Sequence, residues 1–594
     1  MRPSRRTSRV LAAALGLALA GLAACSSNES PTGPDALAPT AVTTTIAGST
    51  VIRVSFTGRA GDTRYLIQRG VGAAPATFDS VGNVPAVSGT TAYTFEDRGL
   101  VANTTYTYRI AAVRNGTQSA FTNALTATTS QGGTGGVVTV SGDITSNRLF
   151  SSDTVYRLQG FVHVTNGATL TIQPGTTVQG DFNALGSSLF IMRGARIVAA
   201  GTEAAPIVFT SSQPAGSRRP GDWGGLVIIG NGLVNRTGDI EIEGTGTVTG
   251  TAPGTNYRVT YSGGTNNVDN SGVLRYVRVE FAGYAPALNQ ELNSFTFGAV
   301  GQNTQLSYLQ TLAGLDDSFE WFGGNVDGDR LVSYESGDDH FDMSEGYSGR
   351  LQYLIAFQST VLQQRDGAGQ PSADPQGIEN DGCNGTGCTN GFNATPLTVP
   401  VVANFTLIGT GSTASSGASG GIGMMLRRGT GGYYVNGVVA RWPRGGVSVR
   451  DAETYTQRAG GAATPDLAIA DLAVRNVVFA ENSAVFQTGG SNVQNTFDLG
   501  GNALVAASGG TASLFTAFPA TVNAQTTAAA FDWAPAAGSA LASGGLATFT
   551  GKLAAATTRA LASGNGTVAG TPFVGAAQPG GPKWWAGWTR YAQN

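Results

Sequence analysis

The stretch Asp316-Asp317-Ser318-Phe319-Glu320-Trp321-Phe322-Gly323-Gly324 returns 22 residues later as Asp338-Asp339-His340-Phe341-Asp342-Met343-Ser344-Glu345-Gly346. Asp316 falls on Asp338, Asp317 on Asp339, Phe319 on Phe341, Glu320 on Asp342 and Gly324 on Gly346. A looser copy, Phe295-Thr296-Phe297, precedes Phe319-Glu320-Trp321 by 24 residues. A unit of roughly 20–30 residues built on a short alternating strand is one coil of a solenoid. The spacing predicts an all-β chain dominated by a right-handed parallel β-helix.

Similar strands continue on both sides. Upstream lie Ala168-Thr169-Leu170-Thr171-Ile172 and Leu189-Phe190-Ile191-Met192, then Gly221-Asp222-Trp223-Gly224-Gly225-Leu226. Downstream lie Leu351-Gln352-Tyr353-Leu354-Ile355 and Val402-Ala403-Asn404-Phe405, then Val474-Arg475-Asn476-Val477-Val478-Phe479. The solenoid is therefore expected over residues 138–594, with an insertion at about 363–400 and a Trp-rich end, Lys583-Trp584-Trp585-Ala586-Gly587-Trp588. An open solenoid end must be covered, so this last stretch is expected to cap it. Sugar stacking or a partner surface is the alternative.

The chain begins with Arg2, Arg5, Arg6 and Arg9, then an apolar run from Val10 to Leu22 that is short for a membrane span. The run ends Leu22-Ala23-Ala24-Cys25, which resembles the lipobox of bacterial lipoproteins. That resemblance implies a signal peptide over 1–24, acylation of Cys25 and a lipidated tether over 25–37. No Asp follows Cys25, so outer-membrane placement is expected, facing either the cell surface or the periplasm. Between 38 and 130 short alternating strands such as Val51-Ile52-Arg53-Val54-Ser55-Phe56 read as a β-sandwich. Leu100-Val101-Ala102-Asn103-Thr104-Thr105-Tyr106 resembles the approach to strand F of a fibronectin type III domain, with Tyr106 as corner tyrosine and Phe56 where that family has a core Trp. Such a module implies a spacer. A Gly-rich linker occupies 131–137.

Together, Gly221–Leu226, Asp316–Gly324 and Gly587-Trp588-Thr589 resemble a group of bacterial surface lipoproteins and secreted β-helix proteins. The resemblance implies architecture and no particular activity.

Composition agrees. Gly is 86 of 594 residues and charged residues are 12%, which suits turn-rich β-structure. A net charge of −3 offers no basic surface for nucleic acid. A monomer is expected. With Cys25 lipidated, Cys383 and Cys388 remain, close together in an oxidising compartment, and a local disulfide is expected.

Chemistry concentrates in the repeat. With Phe319, Trp321, Phe341 and Met343 inward, alternation turns Glu320 and Asp342 outward on strands about 4.8 Å apart. Glu379 extends the row. Stacked carboxylates need a counter-charge, a bound cation or a retained proton. Asp316, Asp317, Glu320, Asp338, Asp339 and Asp342 form a candidate Ca²⁺ site, because hard oxygen ligands suit that ion. Alternatively Arg427, Arg428 and Arg450 cap the row, and it only fixes coil register.

Two functions follow. One is a non-enzymatic, adhesin-like or glycan-binding envelope protein, with the membrane and a polysaccharide or other surface ligand as partners. The other is a polysaccharide lyase or glycoside hydrolase using Glu320, Asp342 and Arg427. As in pectate-lyase-like β-helices, bound Ca²⁺ would neutralise a uronate while Arg427 removed a proton, although no local motif of those enzymes occurs. A hydrolase needs carboxyls about 5–9.5 Å apart, which any acidic row supplies.

Overall fold

The computed structural model describes residues 36–46, 51–98, 100, 104–129, 135–246, 257–287, 290–372, 375–411, 421–461, 465–487, 504–505, 510–519, 521–523, 526–558 and 568–591. The signal peptide and Cys25 lie outside them. No helix among the described residues is long and apolar enough to cross a membrane.

The amino-terminal unit is a β-sandwich. Thr40–Ile46, Val51–Thr57 and Ala92–Arg98 form one antiparallel sheet; Arg64–Val71, Asp79–Pro85, Thr105–Arg114, Thr117–Gln118 and Leu125–Thr128 form the other. Alternate residues Ile52, Val54 and Phe56 face Tyr65, Ile67, Tyr108 and Ile110 in the core. Phe56 fills the centre, with ring centroids 4.9 Å from Tyr65 and 5.7 Å from Tyr93. One buried charge, Asp97, is satisfied by Arg69 at 2.9 Å and the Tyr108 hydroxyl at 2.8 Å. Tyr106 is buried, while residues 101–103 of the corner lie outside the described set.

The remainder is a parallel β-helix. Its first strand, Gly135–Val140, starts within the stretch expected to be linker. Each coil contributes to a short nine-stranded sheet and to a long seventeen-stranded sheet that bends around the rest of the coil. The repeat sets the register: Phe319 pairs with Phe341, Glu320 with Asp342 and Trp321 with Met343, and Phe295 pairs with Phe319 one coil earlier. Inside, Phe295, Phe319 and Phe341 stack at 5.1 and 5.5 Å, and Phe297 stacks on Trp321 at 5.4 Å. Each fully buried ring contributes about 1.5–3 kcal/mol.

Where the long sheet bends, one residue per coil takes a left-handed backbone. The column runs Tyr276, Tyr308, Arg330, Tyr353, Asn404, Asn436 and Asn476, with φ between 49° and 63°. Asn tolerates this conformation better than other non-glycine residues do.

In the Gly-Asp-Trp-Gly-Gly-Leu stretch, Trp223 is fully buried and its Nε1 donates to the Glu280 carbonyl at 2.9 Å. Gly225 has φ +143°, and a Cβ there would sit 1.9 Å from the Asn293 carbonyl oxygen on the next coil. Gly225→Ala is therefore expected to destabilise the protein by more than about 1 kcal/mol, read from its denaturant midpoint.

Two expectations need correction. Residues 363–400 are not one excursion, because Ile378–Asp381 is a coil strand paired between Phe341–Ser344 and Met424–Arg427. The loop after it carries the Cys383–Cys388 disulfide. The Trp-rich segment covers no end of the solenoid. Trp585, Trp588 and Tyr591 lie on the flank of the central coils, packed with Tyr276, Tyr334, Phe357 and Trp533. Polar contacts fix it there: Arg278 donates to the Trp588 carbonyl at 2.8 Å, and Gln310 Oε1 accepts from Arg590 N at 2.8 Å. The preceding segment docks on the asparagine column, with Asn404 donating to Thr571 Oγ1 at 2.8 Å and Asn476 to the Gly544 carbonyl at 2.7 Å. The apolar outer face of the long sheet, rather than the end, is what attracts the aromatic residues.

Candidate functional site

The outer face of the short sheet carries the row Thr296, Glu320, Asp342, Glu379, Met425, Ser448, one residue per coil. The turn before each strand adds a second ladder. Asp317 Oδ1 accepts from Asp339 N at 2.7 Å, Asp339 Oδ1 accepts from Gln376 N at 2.6 Å, and Gln376 Oε1 accepts from Ile422 N at 2.6 Å. Asp316 and Asp338 stand beside this ladder. Each ladder carboxylate thus spends one oxygen on the next coil and keeps the other.

These residues line a trough of about 890 Å³. Its walls hold eleven carboxylates and five arginines. The sequence reading missed Glu243, Glu291, Glu345 and Arg236. Glu243 and Arg236 come from the excursion after Gly225–Ile229, and Glu291 from the hairpin Tyr284–Ala287/Gln290–Leu292. Only Glu345 carried a legible signal, since it stands inside the quoted repeat where the preceding coil has Gly323. It is held by Arg236 at 2.5 Å and by the Tyr261 hydroxyl.

Apart from Arg236 on Glu345, the arginine ion pairs lie at the downstream end. Met425, not Arg427, occupies the row position after Glu379. Arg427 reaches back, bonding Glu379 and, at 2.8 Å, Asp381; Arg428 also pairs with Asp381. Arg450 pairs with no carboxylate among the described residues and donates to Ser448 Oγ and Gln487 Oε1 at 3.2 and 3.4 Å. Asp316, Asp317, Glu320, Asp338, Asp339 and Asp342 form no ion pair with any described residue. Asn293 donates to Glu320, and Asp342 Oδ1 is buried without a hydrogen-bond partner. The arginine-capped ladder therefore accounts for the downstream end and leaves the six carboxylates of the repeat without an ion pair among the described residues.

Burial raises these groups first, and mutual repulsion second. Glu320 and Asp339 are 8% and 4% exposed. Asp316, Asp317, Glu320, Asp339 and Asp342 are all pushed well above the carboxylate range by burial and then by neighbouring carboxylates. Burial lifts Asp338 to about 6. Burial and Asp381 lift Glu379 to about 7 against the pull of Arg427. At neutral pH such a cluster keeps protons or takes cations.

The geometry fits cations. In Asp316/Asp317/Asp338, Asp317/Glu320/Asp342 and Asp339/Asp342/Glu379, one oxygen per residue lies within 4.8 Å of the others. Ca²⁺ binds oxygens at about 2.3–2.6 Å, so ligands across one ion stand at most about 5 Å apart. An ion held by such a triad would present positive charge to the trough.

Other chemistry fits less well. Arg427 is held charged by Asp381 and Glu379 against the cost of its burial, which disfavours it as a proton acceptor. His340, fully buried inside the coil, lies 2.6 Å from Ser333 Oγ, and burial pushes its pKa down to about 3. It offers no Ser/His/Asp site to a substrate.

Residues 142–519, more than half of the chain, match the family model described as a pectate-lyase like beta helix domain. No curated protein matches. Among solved structures, the FN1–FN3 domains of chicken CNTN1 match at 20% identity and TM-score 0.15, over 16% of this chain and 33% of that one. The chain thus spans about a third of that relative. The FN5 domain of Drosophila Lar matches at 22% identity and TM-score 0.14, over 16% of this chain and 99% of that one.

Proposed function

The chain belongs to the pectate-lyase-like β-helix domain family, and on that premise we propose that it is a lipid-anchored envelope protein that binds acidic glycans through divalent cations. One observation carries this reading: six carboxylates without an ion pair among the described residues converge in one open trough and, with Glu379, form triads sized for Ca²⁺. The arginines at the downstream end would meet further anionic groups directly. The lipobox at Cys25 supports the anchor and outer-membrane placement, and the fibronectin-like sandwich supports a spacer role. A monomer with a polysaccharide as partner is the corresponding assembly.

A second reading has its own support, since Glu320, Asp342, Glu379 and Arg427 share the trough. It makes the protein a polysaccharide lyase or hydrolase. The ion pairs of Arg427 argue against a proton-abstracting role.

The full chain carrying Cys25→Ser would be incubated with polygalacturonate, alginate and dextran, each with Ca²⁺ or chelator. Calcium-dependent binding of the two acidic polymers, without new chain ends, is expected. Asp342→Asn is expected to weaken it about tenfold or more. Cleavage of any of the polymers would establish the enzymatic reading, and binding unaffected by chelator, without cleavage, would sink both.

A further inference from the structure

A second cavity lies away from the trough, where the long sheet ends and the coil turns. Its volume is about 730 Å³, within the range of small-molecule sites. One wall is the coil corner, with Ala313, Phe357 and Leu362; the other is the carboxy-terminal segment, with Pro519 and Val522. Ser359, Thr360, Gln363 and Thr521 stand among these apolar residues. Three guanidiniums, Arg218, Arg219 and Arg441, and the Glu335 carboxyl also line the cavity.

Arg441 is the unusual member. Its guanidinium is wedged against Gly411, where an added Cβ would come 2.8 Å from Nη2, and stands 5.6 Å from the ring centre of Phe518. It is half-buried, yet no described residue accepts a hydrogen bond from it or pairs with it within salt-bridge distance. Five N–H donors facing a partly dry space without acceptors are costly. The nearby carboxylates are engaged. Glu335 accepts from Ser359 Oγ and the Tyr591 hydroxyl at 2.5 Å each, and from Ser359 N at 3.0 Å. Glu481 accepts from Thr511 N at 2.9 Å. Next to Gly411, Thr410 is 2% exposed and its Oγ1 has no partner.

A fixed cation without acceptors among the described residues, an unsatisfied hydroxyl and an apolar patch on each wall describe one kind of complement. We infer that this cavity binds an organic anion with an apolar body, its carboxylate paired with Arg441 and its body against Phe357, Leu362 and Val522. A guanidinium makes strong paired hydrogen bonds with a carboxylate, and the walls reward an aliphatic or aromatic chain. The site is independent of the trough and of any cation held there.

Decanoate is the probe, with decanol as its uncharged counterpart. Both would be titrated calorimetrically into the full chain carrying Cys25→Ser, below the concentration at which decanoate self-associates. Saturable binding of one decanoate is expected, with decanol at least about tenfold weaker. Arg441→Gln should weaken decanoate binding by about tenfold and leave decanol unchanged. Asp342→Asn should change neither. Decanol binding as tightly as decanoate, or an Arg441→Gln protein that keeps its decanoate affinity, would overturn the assignment. If Arg441→Gln does not fold, Val522→Trp decides: it fills the space and keeps the charge, so it must abolish binding.

Discussion

Stripped of divalent cations, the protein is expected to lose thermal stability as pH rises from about 5 to 8, and Ca²⁺ is expected to abolish that loss. Unfolded carboxyls release protons near pH 4. In the fold, Asp338 holds its proton to about 6 and Glu379 to about 7, chiefly because they are buried. Between those limits the folded state binds more protons than the unfolded one, so stability falls with rising pH. It is fully present below the unfolded pKa values and lost once the folded ones are passed. A carboxyl held neutral to pH 6 rather than 4 corresponds to about 3 kcal/mol lost by pH 8. Bound Ca²⁺ would replace the protons and remove the slope. Asp342→Asn takes one charge from two of the three triads. It should raise the melting temperature in chelator at pH 8 and reduce the gain on adding Ca²⁺. Melting curves at pH 5 and 8, with chelator or Ca²⁺, measure all of this. A flat profile in chelator would mean that the trough is less dry than its geometry implies.

Trp588→Ala is expected to cost about 3–5 kcal/mol. Trp588 is fully buried, edge-on to Tyr276 at 5.5 Å and Tyr308 at 6.2 Å, and its Nε1 donates to the Trp584 carbonyl at 2.7 Å. Truncation leaves a cavity against two coils and weakens the seat of Arg278 and Gln310 on the same segment. The denaturant midpoint should fall accordingly, with amide exchange rising in Gly272–Glu280 and Gln305–Leu312. A change below about 1 kcal/mol would mean that the flank relaxes around the loss.

The coil register was legible because Asp316–Gly324 and Asp338–Gly346 are joined without insertion, so equal spacing forces Glu320 onto Asp342. Glu379 followed by extension of the same alternation. Arg427 was placed in the right coil but two residues off the row, because the strand after Glu379 presents Met425 and Arg427 folds back. Glu243, Glu291 and Arg236 come from excursions whose return paths depend on tertiary packing, and no periodicity announces them. The Trp-rich segment was misplaced for a related reason. Its composition calls for burial, but several apolar surfaces could supply it, and the flank that won is composed of residues spread from Tyr276 to Phe357. Likewise the cavity beside Arg441 joins Arg219 to Val522, a pairing visible only after the chain has wound through its coils.

The flank has a consequence in time. A bare solenoid can grow from its first coil, each new turn adding to the last. Here the outer face of Gly272–Glu280 and Gln305–Leu312 waits for Trp588 and Arg590, contacts spanning 310 residues for Arg278 and 280 for Gln310. Such distant closures are slow. Until the final residues emerge, a strip of Tyr276, Tyr334 and Phe357 stays wet and available to other chains. A chain truncated before Trp584 is therefore expected to complete most of its coils and still accumulate as aggregate, read from its soluble fraction.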